Sequence, residues 1–346
     1  MNVNAITLAF LLLLSAASAS PQGFAGLGES ANGYAVPDPN ARLSFPEDHG
    51  PHTDFRIEWW YLTANLLGTD GKDYGVQWTL FRNALTPSGL PDDQVWMAHA
   101  AIATPAGHYY AQRLARGGLG TAGVTDAHFE AFLDEWYMRG PNLNNLSLFA
   151  QGADFAYDLV LAADAESIAQ GANGYSVKSD AGLASHYYSQ PHYQVKGALV
   201  LPEGTVEVTG QGWLDREWSS QPLTSTQSGW DWVALHFDSG DKLMGYRLRD
   251  ENEGNHTVGT WIPAKGRSTQ LRPGDLTMSP ISTTAVDGRN IPTNWQISFP
   301  VESLEIEVTA LYPDSWMPTF VPYWEGPVSI SGSHTGRGYL EMTGYE

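Results

Sequence analysis

The segment from Gly212 to Trp232 holds the densest group of side chains that could carry out chemistry. Tryptophan rings and carboxylates alternate there within about twenty residues, a combination that suits a pocket with apolar walls and a few polar groups that orient a ligand. A buried Asp–Arg–Glu network beside tryptophan would serve equally well to lock two domains together. Both interpretations stay open at this point. The residues concerned are Trp213, Asp215, Arg216, Glu217, Trp218, Trp230, Asp231 and Trp232.

Glu58 is a second candidate, because it directly precedes three consecutive aromatic residues at the start of a predicted strand. Side chains alternate along a strand, so Glu58 and Trp60 are expected on one face and the alternate aromatics on the other. A carboxylate buried beside tryptophan needs a partner, since burying a lone charge is costly. Arg56 and Arg82 are the available partners.

A cluster of His49, His52 and Asp54 lies just before Glu58. Neutral imidazole and carboxylate are ligands for divalent metals. The spacing does not match a known metal site, so we favour a cluster that hydrogen-bonds to neighbouring loops and predict no bound metal.

Motifs for cofactors and common hydrolases have no support. The glycines from Gly118 to Gly123 match a dinucleotide-binding pattern only in their spacing, since no buried strand precedes them and no acidic residue follows near position 143. We interpret this segment as a loop between strands. No phosphate-binding loop, nucleophile elbow or HExxH motif is present in the sequence. No cofactor is therefore predicted.

The composition favours a folded β protein. Lys+Arg 18 against Asp+Glu 38 gives a net charge of −20, which argues against nucleic acid as a partner. Aromatic residues reach 12%, enough to build a large core. The chain also has 36 Gly and 21 Pro along its whole length, which leaves little room for long helices.

Short alternating segments, each bounded by turn residues, recur along the chain. The first series is Ile57–Leu67, Tyr74–Phe81, Val95–Ala103, Phe155–Leu161, Val195–Leu201, Val206–Trp213, Trp230–Phe237 and Lys242–Arg249, and the second is Thr257–Ile262, Leu276–Pro280, Trp295–Pro300, Leu304–Leu311, Pro327–Gly332 and Arg337–Thr343. They predict antiparallel strands. The polar, turn-rich segment from Ser219 to Gly229 predicts a boundary between two β domains, over about 36–218 and 228–346. Each half has enough strands to close a barrel, although the alternation alone does not separate a barrel from a sandwich.

The N-terminus predicts export. An apolar run from Ala5 to Leu14 is followed by small residues through Ala17-Ser18-Ala19, as at a signal-peptidase site. We therefore expect residues 1–19 to be a signal peptide and the protein to be periplasmic or extracellular.

Several blocks, in order from about His49 to Tyr345, carry a resemblance to the family of AttH proteins and carotenoid 1,2-hydratases. The resemblance implies two tandem lipocalin-like antiparallel β-barrels. The family includes carotenoid hydratases, AttH proteins associated with ABC-transport operons, and cyclases that fold polyenes. The blocks are His52–Leu62, Gln77–Arg82, Met97–Ala101, Tyr187–Ser189, Trp213–Ser219, Gly229–Trp232, Tyr323–Gly326 and Gly336–Tyr345.

The chain departs from the hydratase branch at half of its motif positions. That branch has Asp-His-Asn-Trp and a Tyr-x-Asp pair on a later strand. An arginine stays protonated and cannot replace the missing histidine, so the Asp-Arg-Glu-Trp-Ser form resembles the AttH branch instead. Asp215, Trp218 and Tyr246 match, whereas Arg216, Glu217 and Leu248 stand where His, Asn and Asp are expected.

Three hypotheses follow. We favour an exported protein that binds a hydrophobic lipid or isoprenoid near the domain junction and works with ABC-transporter components. The alternative is a hydro-lyase or cyclase with Asp215, Glu217 and Tyr246 as its catalytic residues. The third is a structural subunit of an envelope assembly without a small ligand. The predicted ligand-binding residues are Glu58, Trp60, Arg216, Trp218, Trp230, Asp231 and Trp232.

Overall fold

The structure is a computed structural model that describes residues 27–250, 252 and 254–345. The expected signal peptide over residues 1–19 lies outside these residues. Within the described ranges, no helix is long and apolar enough to cross a membrane.

The N-terminal half forms one curled antiparallel sheet. Its strands pair in the order β4-β3-β2-β1-β13-β12-β9-β8-β7-β6-β5, and β10 and β11 also pair with β12. The strand bounds are β1 Ile57–Gly68, β2 Asp73–Ala84, β3 Gln94–Thr104, β4 Gly107–Arg116, β5 Ala122–Thr125, β6 Glu130–Leu133, β7 Trp136–Asn142, β8 Asn145–Gln151, β9 Ala156–Ala162, β10 Ile168–Ala169, β11 Tyr175–Val177, β12 Ala184–Leu201 and β13 Gly204–Ser219.

The C-terminal half forms a second curled antiparallel sheet. Its order is β17-β16-β15-β14-β23-β22-β20-β19-β18, with β21 paired to β22. The strand bounds are β14 Gln227–Phe237, β15 Lys242–Asp250, β16 His256–Ile262, β17 Thr269–Leu271, β18 Thr277–Val286, β19 Arg289–Phe299, β20 Leu304–Ala310, β21 Trp316–Met317, β22 Tyr323–Gly332 and β23 Gly336–Thr343.

The predicted all-β class of two tandem lipocalin-like barrels is confirmed. The described helical segments are three short 3-10 turns, at Glu47–His49, Pro91–Asp93 and Pro300–Glu302. The two sheets are joined by the connection from β13 to β14, inside the segment that the sequence marks as a boundary. Each sheet curls around its own apolar core, which contains Trp60, Trp78 and Trp136 in the first barrel and Trp295 and Trp324 in the second.

The strands between Gly107 and Gln151 were not anticipated from the sequence. Strand β4 alternates between exposed and half-buried residues, so its apolar pattern is weak. The Gly118–Gly123 segment forms the turn after β4 and the start of β5, and Gly118 and Gly120 have positive φ there. This backbone conformation suits glycine and accounts for the spacing without a nucleotide.

The two barrels meet through the outward faces of several strands. Strands β1, β12 and β13 of the first barrel face β14, β15, β22 and β23 of the second. Between them lies a third cluster of buried apolar residues that includes Tyr61, Tyr187, Trp213, Trp232 and Tyr246. The functional candidates must therefore be sought between the barrels as well as inside them.

Candidate functional site

A cavity of about 160 Å³ lies at this junction, with residues of both barrels in its walls. Its surface is mostly apolar, because aromatic side chains from β1, β12, β14 and β15 face it. Polar groups are few and come from several strands, which is the usual composition of a small-molecule site. The side chains used below are Trp59, Tyr61, Lys178, Tyr187, Asp215, Glu217, Trp230, Trp232, Tyr246, Leu248, Tyr323 and Glu341.

Asp215 lies in the cavity wall contributed by the first barrel. The Tyr187 hydroxyl and the Trp213 indole N–H each donate to it at 2.7 Å, and the Ser189 hydroxyl donates to it as well. Burial raises the pKa of Asp215 to about 7, although these three donors favour the charged form. Both of its oxygens accept hydrogen bonds, so Asp215 is arranged to carry a negative charge.

Glu217 and Lys178 form a buried ion pair beside Asp215. The Lys178 ammonium lies 2.7 Å from Glu217 Oε1 and 4.3 Å from the centre of the Tyr246 ring. Burial opposes the charged lysine, but the Glu217 carboxylate and Tyr246 raise the pKa of Lys178. The Tyr246 hydroxyl also lies 3.0 Å from Ser176 Oγ, so this group joins β15 to the first barrel.

Glu341 lies in the wall contributed by the second barrel. The Trp230 indole N–H donates to its Oε1 at 2.5 Å. Burial raises the pKa of Glu341 to about 7, and the neighbouring charges of Asp215 and Glu217 add to the increase. Part of the residue stays accessible and lines the cavity. Near neutral pH, a protonated carboxyl is therefore available to a bound molecule.

The balance of charge explains why carboxyls stay protonated here. Asp215, Glu217 and Glu341 line the cavity, whereas Lys178 is the one lysine or arginine among its described lining residues. Since Lys178 already pairs with Glu217, Asp215 and Glu341 have no cationic partner at the cavity. With Asp215 ionised, a second negative charge in this buried site is disfavoured, so protonation of Glu341 is the less costly state.

We expect Glu341→Gln to stabilise the protein at neutral and alkaline pH. Because the pKa of Glu341 is raised to about 7 in the folded state, its contribution to stability is fully present below about pH 4.3 and is lost as the pH rises to about 7. Glutamine does not ionise, so the variant should gain up to about 3 kcal/mol above that range. Urea unfolding of both proteins at several pH values measures the gain.

The exposed Glu302→Gln variant provides the control, and it should show no pH-dependent gain. Equal unfolding free energies of wild type and Glu341→Gln at about pH 8 would contradict a raised pKa.

Five of the predicted site residues come together at the cavity. Asp215, Glu217 and Tyr246, proposed as catalytic, all line it, as do Trp230 and Trp232 from the predicted ligand-binding set. The Trp232 indole N–H donates to the Tyr187 hydroxyl at 3.1 Å, so it links the second barrel to the partner of Asp215.

The other predicted site residues do not line this cavity. Trp60 and Trp218 both belong to the apolar core inside the first barrel. The Glu58 carboxylate is fully buried and forms ion pairs with Arg82 and Arg216. Although burial opposes the charge, the two guanidinium groups hold the pKa of Glu58 well below its usual range.

The Glu58 network joins the two charged and aromatic blocks of the sequence. Strand β1 pairs with β13, so that Glu58 lies opposite Trp218 and Trp60 lies opposite Arg216. The Arg216 guanidinium lies 3.8 Å from the centre of the Trp60 ring. The Arg216 guanidinium thus pairs with the Glu58 carboxylate and not with the carboxylates of Asp215 or Glu217. The network lies within the first barrel and does not lock the two barrels together.

The remaining polar candidates also have partners within one barrel. Asp231 lies between Arg247 and Arg249, at 2.7 and 2.6 Å, on the face of β14 opposite Trp230 and Trp232. The His49 Nδ1 lies 2.7 Å from the Tyr188 hydroxyl. The His52 Nε2 lies 3.1 Å from Asp48, and its ring stacks on Trp218 at 3.9 Å. Among the residues described, no group of three or more His, Asp or Glu could hold a metal ion.

The sequence analysis missed Glu341, Lys178 and Tyr61. Glu341 and Tyr61 lie within blocks that carry the family resemblance, but they are far from Asp215 in the chain. The sequence did contain a signal for Glu341. This glutamate lies on the same face of β23 as Tyr339 and Thr343, although a strand that is covered on both faces should carry apolar residues there. Lys178 lies outside those blocks and had no comparable signal.

The fold and the site define a protein of two lipocalin-like barrels with an acidic, aromatic cavity between them. A family model described as AttH-like matches residues 36–345, so the chain belongs to the AttH-like family. No curated protein sequence matches the chain.

Two solved structures are similar to this chain. A candidate AttH from Nitrosomonas europaea is 33% identical, with 90% of this chain and 99% of that chain covered and a TM-score of 0.82. Kievitone hydratase from Nectria haematococca is 17% identical, with 91% and 97% covered and a TM-score of 0.66. The second likeness shows the shared fold alone.

Proposed function

We propose that this protein binds an apolar, unsaturated small molecule in the junction cavity. It adds water to a carbon–carbon double bond or, in reverse, removes water from an alcohol to form one. The observation that carries this proposal is the Glu341 carboxyl, which faces an aromatic cavity and has a pKa raised to about 7. An acid with a pKa near the working pH is the form of side chain that general acid catalysis needs.

Glu341 is the proposed acid. In the direction of hydration, its O–H bond breaks and a new C–H bond forms on the alkene, which leaves a carbocation. The faces of Trp59, Trp230 and Trp232 line the same cavity. Aromatic faces stabilise cations, so these rings lower the cost of the intermediate.

Asp215 is the proposed base. Its three hydrogen-bond donors favour the carboxylate form, which can accept a proton from water. As the water oxygen bonds to the carbocation, its proton passes to Asp215, and the product is an alcohol. Dehydration follows the same steps in reverse. Burial raises the pKa of both carboxyls to about 7, and the three donors to Asp215 are what assign it the role of the base.

The cavity limits the size of the bound group. Its volume of about 160 Å³ is close to that of an engineered apolar cavity of about 150 Å³ that binds benzene. A small isoprenoid fits this space, whereas a long polyene or lipid would have only one end inside it. We therefore propose a short isoprenoid, or the end of a longer one, as the ligand.

Binding without chemistry is the second candidate function, and Leu248 favours it. This residue lines the cavity at the position where the resemblance to the hydratase branch would place an aspartate. An apolar side chain there improves the contact with a ligand and removes a carboxyl. Under this candidate, the aromatic walls hold a lipid or isoprenoid for another protein.

We propose that either function is carried out after export. The pattern of residues 1–19 supports export to the periplasm or the cell exterior, and membership of the AttH-like family supports work with ABC-transporter components. A cavity that binds no ligand would instead support the hypothesis of a structural subunit.

The test combines calorimetry with product analysis. We expect the acyclic monoterpene myrcene to bind saturably and to gain one water that carries the label in heavy-oxygen water. We expect no tertiary alcohol from an acyclic carotene, because the histidine and later aspartate of the hydratase motif are replaced by Arg216 and Leu248 and the cavity is too small for it. Kievitone is assayed in parallel.

A cavity-filling variant shows where binding occurs. Leu248→Trp should abolish the binding of myrcene, whereas Ile281→Trp, at an exposed position, should leave it unchanged. Binding without a labelled product would support the second candidate. If none of the probes bound to the wild type, the structural-subunit hypothesis would replace both.

A further inference from the structure

A second glutamate lies directly behind the proposed acid. Glu325 on β22 is opposite Glu341 on β23 in the antiparallel register. Directly opposed residues have side chains on the same face, with Cβ atoms about 4.5–5.5 Å apart. Glu325 is fully buried and is not part of the cavity wall, whereas Glu341 is. Two carboxyls thus lie side by side, one open to a ligand and one closed.

A tyrosine from the other barrel bridges the two glutamates. The Tyr61 hydroxyl is hydrogen-bonded to Oε2 of Glu325 at 2.9 Å. Tyr61 and Glu341 line the same cavity, and although burial raises the pKa of Glu341, Tyr61 lies close enough to lower it in part. A tyrosine hydroxyl has one proton to donate and accepts other bonds through its oxygen. Its oxygen can therefore receive the proton of a protonated Glu325 while its own proton passes to Glu341. Two neighbouring carboxyls in a buried site are least costly when at least one of them keeps its proton.

The surroundings of the pair favour this shared proton. Among the described residues, the titratable groups next to the pair are Tyr61 from β1, Tyr323 and Tyr339 from the same two strands, Tyr157 from β9, and Asp215 and Glu217 from β13. None of these is a cation at neutral pH. Burial, and then the charge of Glu341, raises the pKa of Glu325 well above its usual range. The closed glutamate is thus the one that keeps its proton.

We propose that Glu325 is a proton reserve for Glu341 and that the Tyr61 hydroxyl carries the proton between them. The catalytic use of this reserve rests on the proposed function, but the shared proton does not. Glu325 acts through Glu341 and does not touch the ligand, so it is a positioning residue.

The transfer is balanced. After Glu341 has given its proton to carbon, Tyr61 gives its hydroxyl proton to Glu341 and receives the proton of Glu325 on its oxygen. Glu341 is again an acid, Tyr61 is unchanged and Glu325 is a carboxylate. Once the product leaves, Asp215 releases to solvent the proton that it took from water, and Glu325 regains a proton from solvent through Glu341 and Tyr61. Each turnover thus moves one proton out through the bridge and one back, and it consumes none beyond that of the added water.

Infrared spectroscopy tests the shared proton without a substrate. Protonated carboxyls absorb separately from carboxylates, and their band shifts in heavy water. In wild type, we expect such a band to persist at about pH 8, well above the ordinary glutamate pKa of about 4.3. Glu325→Gln should lose this persistent band. Tyr61→Phe should change its frequency, because the hydrogen bond is removed.

Glutamine has the shape of the protonated acid, so Glu325→Gln should fold, and circular dichroism checks this. The exposed Glu302→Gln variant should keep the full band. An unchanged band in folded Glu325→Gln would overturn the proposal. If Glu325→Gln loses the band but the wild type never converts myrcene or kievitone, the shared proton stands and the proposed function fails. If the wild type converts a substrate but shows no protonated-carboxyl band, the proton reserve fails and the proposed function stands.

Discussion

Glu341→Gln is expected to lower the turnover of a substrate by about 10²–10⁴-fold, the usual contribution of a general acid. Glutamine keeps the size of the side chain and can still accept the hydrogen bond from Trp230, but it has no acidic proton. Binding should change little, since the aromatic walls are intact. Turnover by mass spectrometry and affinity by calorimetry, measured on the same preparation, separate the two effects.

Asp215→Asn provides a matched comparison for this prediction. It removes the proposed base, so it should also lower turnover. The pH dependence of the rate distinguishes the two roles, because Glu341 must be protonated and Asp215 must be ionised. The rate of the wild type should therefore fall on both sides of about pH 7, with the alkaline fall lost in Glu341→Gln and the acidic fall lost in Asp215→Asn. A Glu341→Gln enzyme with a rate near that of the wild type would assign the acid to another residue.

Glu58→Gln is expected to lower the free energy of unfolding by about 3–5 kcal/mol, as is typical when one partner of a buried ion pair is removed. The substitution leaves the charges of Arg82 and Arg216 in the interior without their carboxylate; all three side chains are fully buried. Urea unfolding followed by far-ultraviolet circular dichroism measures the loss.

The ion pair between Glu130 and Arg139 serves as the control, because both side chains are accessible to solvent, with exposed fractions of 37% and 54%. Surface pairs contribute about 0–1 kcal/mol, so Glu130→Gln should have little effect. A loss below about 1 kcal/mol for Glu58→Gln would show that water or side-chain movement compensates the arginines. Ligand binding at the junction should survive in any Glu58→Gln protein that remains folded, since Glu58 is not part of that cavity.

Local alternation predicted much of the fold. The expectation that Glu58 and Trp60 share one face of β1 agrees with their burial inside the first barrel, while Tyr61 faces the junction. The same rule places Asp215 and Glu217 on one face of β13 and Arg216 on the other. Period-two patterns determine such faces without any knowledge of the partner strand.

The candidate site was harder to predict, because its members meet only through long-range pairing. Tyr61 and Glu325 are separated by 264 positions in the chain and belong to different barrels. Alternation shows which face of β22 and β23 carries the glutamates, but not that this face is covered by another domain. The position of Asp231 illustrates the same limit, since it neighbours Trp230 and Trp232 in sequence and points to the opposite side.

The bonds across the junction connect ligand affinity to the pairing of the barrels. Tyr61 with Glu325, Trp232 with Tyr187, and Tyr246 with Ser176 each join one barrel to the other around the cavity. A ligand that contacts both walls binds only the closed pair, so by thermodynamic reciprocity it must tighten the association that creates its own site. Neither barrel holds the complete set of walls by itself. The tandem is accordingly the smallest unit that forms the cavity, and a change at the junction should alter affinity even when it touches no ligand atom.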